Sequence, residues 1–471
     1  MLNIFFDRLI DKVKYGRIPN GVLPEMEDLY VPELDLSKFR ERYDINTWPA
    51  IYSGDLYQGS AYADVANICK VDNDVAVGIY PIEPFGSIDR CLGIDPSWNK
   101  KFGTKTAFDY ISEVSKKHLR SGKLTLVISF LQESMADDYS FKVIHKLIKK
   151  FKFKKVLICV NDYLLKKRYT EWCIVKGHSP RFDVMFYSHS LYEKSEEIFS
   201  ISVSIETGTM NISSKYKKHK HSILSLNDFN DSRTHIRKNK FLSFNRRLRS
   251  HRLAILLFFY KNSLLQNNSI SFNFSIEGEE YNQSISDVVF KNEEKTYMKY
   301  FDGLYNLESQ VVDYPISLKV EDGVHHGYGF ENKEPYVNSY LSVVTETNFS
   351  GTTGYVSEKT WKPIGFFHPL IVIGNPHSLD ILRDFGFKTF TPWINEDYDK
   401  EENHKKRFKM ITEEILRINK MNLNETHDWY WEMEDILVHN YNLFLDYGKN
   451  KHSFHKKFLK RIEEYIEHEE N

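Results

Sequence analysis

The sequence predicts an α/β fold with two α/β domains. Three observations carry this reading. Short apolar runs rich in β-branched residues alternate with helix-period stretches after residue 100. A second series of the same kind starts near residue 240. A polar, basic stretch separates the two. Strand–helix–strand order with short links is the mark of a parallel sheet.

The elements follow in chain order. The first 100 residues are rich in Tyr, Pro and Asp and show few clean periods. Residues 104 to 120 predict a helix. Leu124–Phe130 (LTLVISF) predicts a buried strand. Residues 139 to 152 place Phe141, Ile144, Leu147 and Ile148 on one helical face and lysines on the other. Val156–Val160 predicts the next buried strand, and Arg181–Tyr187 another. From Lys215 to Arg252 stand twelve Lys or Arg against Asp228 and Asp231, and the domain boundary is placed in the first half of that stretch. Beyond it, Phe241–Phe244 predicts a strand and Leu253–Tyr260 an apolar helix. Leu341–Thr345 and Pro369–Gly374 predict strands on either side of a short helix from Glu358 to Phe366. Helices are expected at 403–420, 428–446 and Lys456–Glu469, and Asn395–Asn403 as a solvated acidic loop. The domain limits read 1–230, 231–425 and a helical segment 426–471. Two Rossmann-like α/β halves facing a cleft are an architecture shared by GT-B enzymes and several binding proteins, and ligands of such folds collect at the carboxyl ends of the strands.

Composition excludes several classes. The 471 residues carry 64 Lys and Arg against 65 Asp and Glu, a formal charge of -1, so global charge points to neither nucleic acid nor membrane. Cys69, Cys91, Cys159 and Cys173 form no CxxC pair, which excludes zinc-knuckle and thioredoxin-like motifs and fits reduced thiols in a cytoplasm. The apolar start meets a charge at Asp7, too soon for a signal peptide, and no run of about 18 uncharged apolar residues predicts a membrane span. Neither GxGxxG nor GxxxxGK[ST] occurs, against dinucleotide redox enzymes and P-loop kinases. Asp72-Asn73-Asp74 has the DxD spacing of metal-dependent transferases but reads as a turn, and His325-His326 as a loop pair. No metal site is expected.

Two blocks carry chemistry. Asn245-Arg246-Arg247-Leu248-Arg249-Ser250-His251-Arg252 lies between a strand and an apolar helix. A helix N-terminus carries about half a positive charge, so guanidinium groups gather there at a cost unless an anion is present. Phosphate oxygens on free N–H groups and arginine forks explain the cluster; a solvated basic face or an ion-pair network is the plainer account. The second block runs from Val344 to Pro363. A strand ends in Glu346-Thr347-Asn348, and a loop of small residues includes Thr353-Gly354-Tyr355. Ser357 stands at an N-cap position, and Glu358-Lys359 opens the helix. A carboxylate there can accept from sugar or ribose hydroxyls, and a lysine can meet a diphosphate.

Glu346-Thr347-Asn348, the glycine loop, Ser357-Glu358-Lys359 and the apolar strand ending in Gly374 resemble the donor-binding half of family 10 glycosyltransferases, the α-1,3-fucosyltransferase-like enzymes. The stretch Ser357–Phe390, with Asn375-Pro376 and Phe385-Gly386-Phe387, is more similar still to glycosyltransferase-like proteins of phages and large DNA viruses, as is Phe244–Arg247 with His251-Arg252. The resemblance covers residues 240 to 420. It implies an inverting, metal-independent GT-B transferase that takes a nucleotide-diphosphate sugar, typically GDP-fucose, and needs no other cofactor. It further implies ribose binding by Glu358, diphosphate binding by Lys359, and a leaving phosphate neutralised within Arg246–Arg252, with Arg247 catalytic and Asn245, Arg246, Arg249 and Arg252 beside it. Glu346, Asn348, Thr353, Gly354, Tyr355 and Ser357 line the donor pocket in this reading. Trp361-Lys362-Pro363 inside the short helix departs from the family pattern and bears on the identity of the sugar.

An acceptor hydroxyl needs a general base from the other domain. Glu133, after the Leu124–Phe130 strand, is the first candidate, with Glu83 and Asp55 as rivals. The expected partners are the donor and a glycan acceptor, in a cytoplasm, that of the host for a viral protein. Two alternatives stay open: transfer to a hydroxylated DNA base, with the Lys215–Lys240 patch on the DNA backbone, and a non-catalytic sugar- or nucleotide-binding protein.

Overall fold

A computed structural model of the chain describes residues 1–6, 65–82, 92, 106–130, 138–207, 223–245, 249–266, 268–272, 333–349 and 351–468. The chain divides into two compact units, Met1–His189 with Asn450–Asn471, and Ser190–Lys449. Each holds one parallel sheet. The fold is α/β, as the alternating runs predict.

In the first unit, β1 (Leu2–Phe6), β2 (Ala66–Lys70), β3 (Gly78–Ile82), β4 (Leu124–Phe130), β5 (Val156–Val160) and β6 (Asp183–Phe186) form a sheet of order β2-β1-β3-β4-β5-β6. Its pairings are parallel throughout. Crossovers run through α1 (Glu113–Ser121), α2 (Asp138–Phe151) and α3 (Leu165–Lys176). Leu126 and Ile128 of β4 and Ile158 and Val160 of β5 pack with Phe141 and Ile144 of α2 and Tyr169 and Trp172 of α3. A right-handed crossover returns to a parallel sheet with its apolar stripe inward, which puts successive helices on one face. Tyr187, after β6, packs on Phe458 of the last helix, with ring centroids 4.6 Å apart.

The expected 104–120 helix is a 3₁₀ turn at Ala107–Tyr110 and then α1, because Ser112 is extended and its hydroxyl accepts from Ser115 N–H as a new N-cap. Strands β2 and β3 lie in the stretch without clear periods. Each has five residues, and Gly78 and Pro81 read as breakers. Gly78 is required by close approach: a Cβ there would stand 2.4 Å from Asn3 O on β1. The Asp72–Asp74 triplet lies in the bend between β2 and β3, where Asp74 pairs with Lys123 at 2.8 Å.

The second unit contains α4 (His189–Thr207) from Ser190 onward, α5 (Leu226–Asp231), β7 (Asn239–Asn245), α6 (Ser250–Lys261) and β8 (Ser269–Phe272). Then come α7 (Glu334–Val337), β9 (Ser339–Thr345), α8 (Glu358–Ile364), β10 (Leu370–Ile373) and α9 (Ser378–Asp384). Its parallel sheet has the order β10-β9-β7-β8. Helices α10 (His404–Asn419), α11 (Leu423–Trp431) and α12 (Glu434–Lys449) complete it, and α13 (Lys451–His468) belongs to the first unit. The expected 428–446 helix is therefore two helices, broken at Glu432-Met433. Asn422 caps the first with a full capping box.

The units divide at 189/190 and 449/450, where the sequence reading has 230/231 and 425/426. The reason is the pairing of α4 with α12. A Cβ on Gly448 would meet Ser195 O at 2.1 Å, so only glycine permits the two backbones to touch. The acidic segment 395–403 corrects another expectation. It is not simply solvated: Glu396, Tyr398 and Asp399 are buried. Glu396 accepts from Phe390 N–H at 2.6 Å and from Arg383 at 2.8 Å, and Asp399 from Leu379 N–H at 3.0 Å. No helix among the described residues is long and apolar enough to cross a membrane.

Candidate functional site

The order of the second sheet locates the site. From β7 the chain moves outward to β8, then returns to β9 and β10 on the other side, so the order reverses between β7 and β9. Ligands of open parallel sheets bind outside the carboxyl ends at such a reversal. Here β7 ends at Asn245 and β9 at Thr345, where the two chemistry-bearing sequence blocks begin. In the first sheet the reversal lies between β1 and β3, and both lead into residues outside the described set.

A rigid polar frame closes the carboxyl end of β7–β9. Thr345 Oγ1 donates to Asn245 Oδ1 at 2.7 Å, and Asn245 Nδ2 donates to Ser243 Oγ at 3.1 Å and Ser271 O at 3.2 Å. Asn245 thus ties three strands with a buried carboxamide. The first turn of α6 docks on β9: His251 Nε2 donates to Glu346 O at 2.8 Å, and Arg252 to the same carbonyl at 3.2 Å. The carbonyl fixes the tautomer of His251, with the proton on Nε2.

Glu346 is buried and works inward. One carboxylate oxygen accepts from Ser357 N–H at 3.0 Å and Thr360 Oγ1 at 2.5 Å. The loop between β9 and α8 is pinned along its length. Asn375, just past β10, accepts from Gly351 N–H at 3.0 Å and donates to Thr353 O at 2.9 Å and Thr353 Oγ1 at 2.6 Å. The buried Arg407 of α10 donates to Phe349 O and, at 3.2 Å, to Gly374 O. Ser190 Oγ donates to Val356 O at 2.9 Å and accepts from Trp361 Nε1 at 3.1 Å. These bonds fix the exposed Gly351 and Thr352 on a buried loop, which is the preorganisation a binding site needs.

The charge distribution is uneven. Ser357 caps α8 by accepting from Lys359 N–H, and Lys359 Nζ pairs with Glu358 at 2.7 Å. The Lys359 side chain is 27% exposed and that of Glu358 12%, so among the described residues of the block Lys359 meets solvent along with the exposed Gly351 and Thr352. Burial raises the Glu358 carboxyl, but Lys359 and Lys362 outweigh it and the net shift is downward. Burial, with Arg252, Arg249 and Lys359 as cations, pushes His251 down to about 3 against the pull of its bond to Glu346 O. His251 is therefore neutral at ordinary pH and senses all three cations. Arg249, partly exposed, is the extended residue before α6, whose first turn holds no acid and whose cap position makes no side-chain cap. Among the described residues no three metal-ligating side chains cluster.

The structure brings Asn245, Arg249, Arg252, Glu346, Asn348, Thr353, Gly354, Tyr355, Ser357, Glu358 and Lys359 to one sheet end. Glu133, Arg246 and Arg247 lie outside the described residues, as do Glu83, Asp55, His325, His326 and the Lys215–Lys220 part of the Lys215–Lys240 patch. Sequence reasoning gave no role to His251, Asn375, Arg407 or Ser190. His251 and Asn375 stand inside quoted motifs. Arg407 and Ser190 are far in sequence from the loop they hold, and a single sequence carries no local signal for them. No family model, curated protein or solved structure matches this chain.

Proposed function

We propose that the protein is a glycosyltransferase of GT-B type, with two Rossmann-like domains, which moves a sugar from a nucleoside-diphosphate donor to an acceptor hydroxyl with inversion. One observation supports the reading: Arg249 and Arg252 of the α6 start and Lys359 of the α8 start gather at the carboxyl side of the strand-order reversal. Cations at an uncapped helix N-terminus are favourable when a phosphate sits among them.

In this reading Lys359 and Arg249 meet the diphosphate. Arg252, whose guanidinium is committed to the carbonyls of Thr345 and Glu346, positions α6 and adds its field. Glu358 accepts from ribose hydroxyls. As the bond to the leaving phosphate breaks, negative charge grows on oxygens that fixed cations already face, and this stabilises the transition state. The acceptor hydroxyl gives its proton to a base, for which Glu133 is the candidate.

The test is a thermal-shift screen with GDP, UDP, ADP and their sugar conjugates, followed by mass spectrometry of released nucleoside diphosphate and glycosylated acceptor. A donor at about 100 times its Kd should stabilise the fold by about 2.7 kcal/mol. Absence of any shift with millimolar nucleoside diphosphates would sink the reading.

A further inference from the structure

The first unit carries a surface that donor chemistry does not use. Residues 138–183 hold twelve Lys or Arg against Asp138, Asp162, Glu171 and Asp183, the last accepting from Tyr465 Oη at 2.9 Å, in a chain whose net charge is -1. Asp162 is buried and paired with Arg168, so that pair drops out and eleven cations remain. The chain path gathers the cations at one place. Helices α2 and α3 run back from the carboxyl ends of β4 and β5, so their last turns and the links into β5 and β6 lie at the amino end of the sheet. There stand Lys149, Lys152, Lys154, Lys155, Lys176 and Arg181.

The hydrogen bonds and register confirm the grouping. Leu126 N–H donates to Lys155 O at 3.0 Å and Lys154 N–H to Leu119 O at 3.2 Å, which places the first link against the ends of α1 and β4. Leu157 pairs with Asp183, so the same register two residues further back sets Lys155 beside Arg181. Neighbouring Lys123 and Lys150 are paired with Asp74 and Asp109. The six named cations have no ion pair among the described residues. Lys152 holds φ 59°, a left-handed conformation where glycine or asparagine is favoured, so a cation stands there at a conformational cost.

The same edge exposes aliphatic surface. Ile174 and Val175, at the end of α3, are 75% and 76% exposed, directly before Lys176. Val77, just before β3, is exposed at the same end of the sheet. A pair of branched aliphatics this exposed inside a lysine-rich rim has a specific use. Lysine ammonium groups on long stems reach lipid headgroups, while neighbouring aliphatics enter the boundary with the acyl chains. Surfaces for single-stranded nucleic acid instead add aromatic platforms and arginine forks. Five of the six cations here are lysines, and the exposed apolar groups are aliphatic.

We propose that the amino-end edge of the first sheet is a docking surface for an anionic lipid bilayer, with Ile174 and Val175 at its centre of contact. The carboxyl end of that sheet then points away from the lipid. The proposal stands independently of the donor-site reading.

The experiment uses the full chain and vesicle flotation. Neutral phosphatidylcholine vesicles are compared with vesicles containing about 30% phosphatidylglycerol, at about 0.1 M and about 0.5 M salt. Apparent affinity should rise about tenfold or more with the anionic lipid and return toward the neutral value at high salt. Lys154→Glu with Lys155→Glu and Lys176→Glu should lower it about tenfold, and Ile174→Ser with Val175→Ser about threefold, at unchanged melting temperature. Should the charge-reversed variant melt early, the same three positions changed to Gln decide. Lys405→Glu with Lys409→Glu, on α10 of the second unit, should bind as wild type. Equal binding to neutral and anionic vesicles overturns the proposal, and so does wild-type binding by the folded triple variant. Displacement from vesicles by duplex DNA at equal phosphate concentration would also overturn it, and would make the edge a nucleic-acid surface.

Discussion

The two ends of the second unit's sheet hold the same kinds of residues in opposite states. At the amino end, the buried Arg237 donates to Ser339 O at 2.6 Å and to Tyr430 Oη at 2.8 Å, and lies 4.1 Å from the Tyr430 ring. Tyr430 Oη in turn donates a hydrogen bond to Phe367 O at 2.7 Å. His368 Nε2 donates to Tyr336 O at 2.6 Å, which leaves Nδ1 to accept from Ser342 Oγ at 3.0 Å. The carboxyl end also has a buried arginine and a buried neutral histidine, Arg252 and His251. Burial and Arg237 hold His368 well below its ordinary range, as burial and Arg252 hold His251. A perturbed histidine therefore marks neither end as the site. Closure separates them. The amino-end network ends on carbonyls and hydroxyls under tyrosine rings, while the carboxyl end leaves the ammonium of Lys359 in reach of solvent beside a loop of small residues.

The comparison breaks most plainly at Arg237. Arg237→Ala should leave the carbonyl of Ser339 and the hydroxyl of Tyr430 without this donor, while Tyr336 O keeps His368. At about 1–3 kcal/mol for each of these two buried groups, the loss is about 2–6 kcal/mol. Denaturant midpoints would read it, with turnover per folded molecule unchanged. Selective loss of turnover at wild-type stability would show that the amino end belongs to the site after all.

Lys359→Ala should do the reverse. The ammonium is partly exposed and its pair with Glu358 contributes little to the fold. Its removal should cost about 2–4 kcal/mol of transition-state stabilisation, or about 30- to 1,000-fold in transfer rate. Melting should stay close to wild type. Wild-type transfer in this variant would remove the donor site from the carboxyl end.

This asymmetry also explains how much the sequence revealed. Strands β4, β5, β9 and β10 are buried on both faces, so their apolar β-branched runs are legible without any partner. Strands β2 and β3 are not, because Asn67, Lys70, Gly78 and Pro81 interrupt the pattern, and the need for Gly78 exists only against Asn3. The candidate site is legible where charge stands against local expectation, as in the arginines before α6 and the Glu358-Lys359 pair. Its support is not. Arg407 reaches Phe349 across 58 positions, and Ser190 reaches Val356 across 166. Such contacts arise from tertiary packing, which no local period encodes. Arg237 was one cation in a basic stretch, and only the structure separates it from its neighbours as a core residue.

His251 sharpens the comparison through pH. Its folded pKa of about 3 lies below the ordinary value of 6.5. The unfolded chain then binds more protons between those limits, so stability falls as pH drops below about 6.5, by up to about 1.4 kcal/mol per unit, and the trend ends near pH 3. His251→Gln can keep a donor near Glu346 O without titrating. Urea unfolding of this variant between about pH 6 and 4 should show a slope shallower by about that amount. An unchanged slope would mean that His251 already carries a proton in the fold, and that the carboxyl end is less cationic than its neighbours suggest.

The smallest effect separates the two ends by sign. Asp399 lies in the acidic turn beneath the segment that follows β10, and its side chain accepts from Leu379 N–H. Burial raises its carboxyl to about 7, aided by Asp380 and only partly offset by the Leu379 N–H, Arg383 and His377. A raised carboxyl pKa means that the fold holds a proton the unfolded chain has released. The cost of the carboxylate is then absent below about pH 4, grows through the interval, and is complete above about pH 7. Asp399→Asn keeps an acceptor for Leu379 and removes the charge. It should stabilise the protein by about 1 kcal/mol or more at pH 8 and have little effect at pH 4. A site that holds charge against its own stability gains from such a change, whereas a saturated network such as that of Arg237 loses from every truncation. Denaturant midpoints of wild type and Asp399→Asn at the two pH values decide it. A variant less stable at pH 8 would show that the carboxylate is a net support, and that the two ends differ in exposure alone.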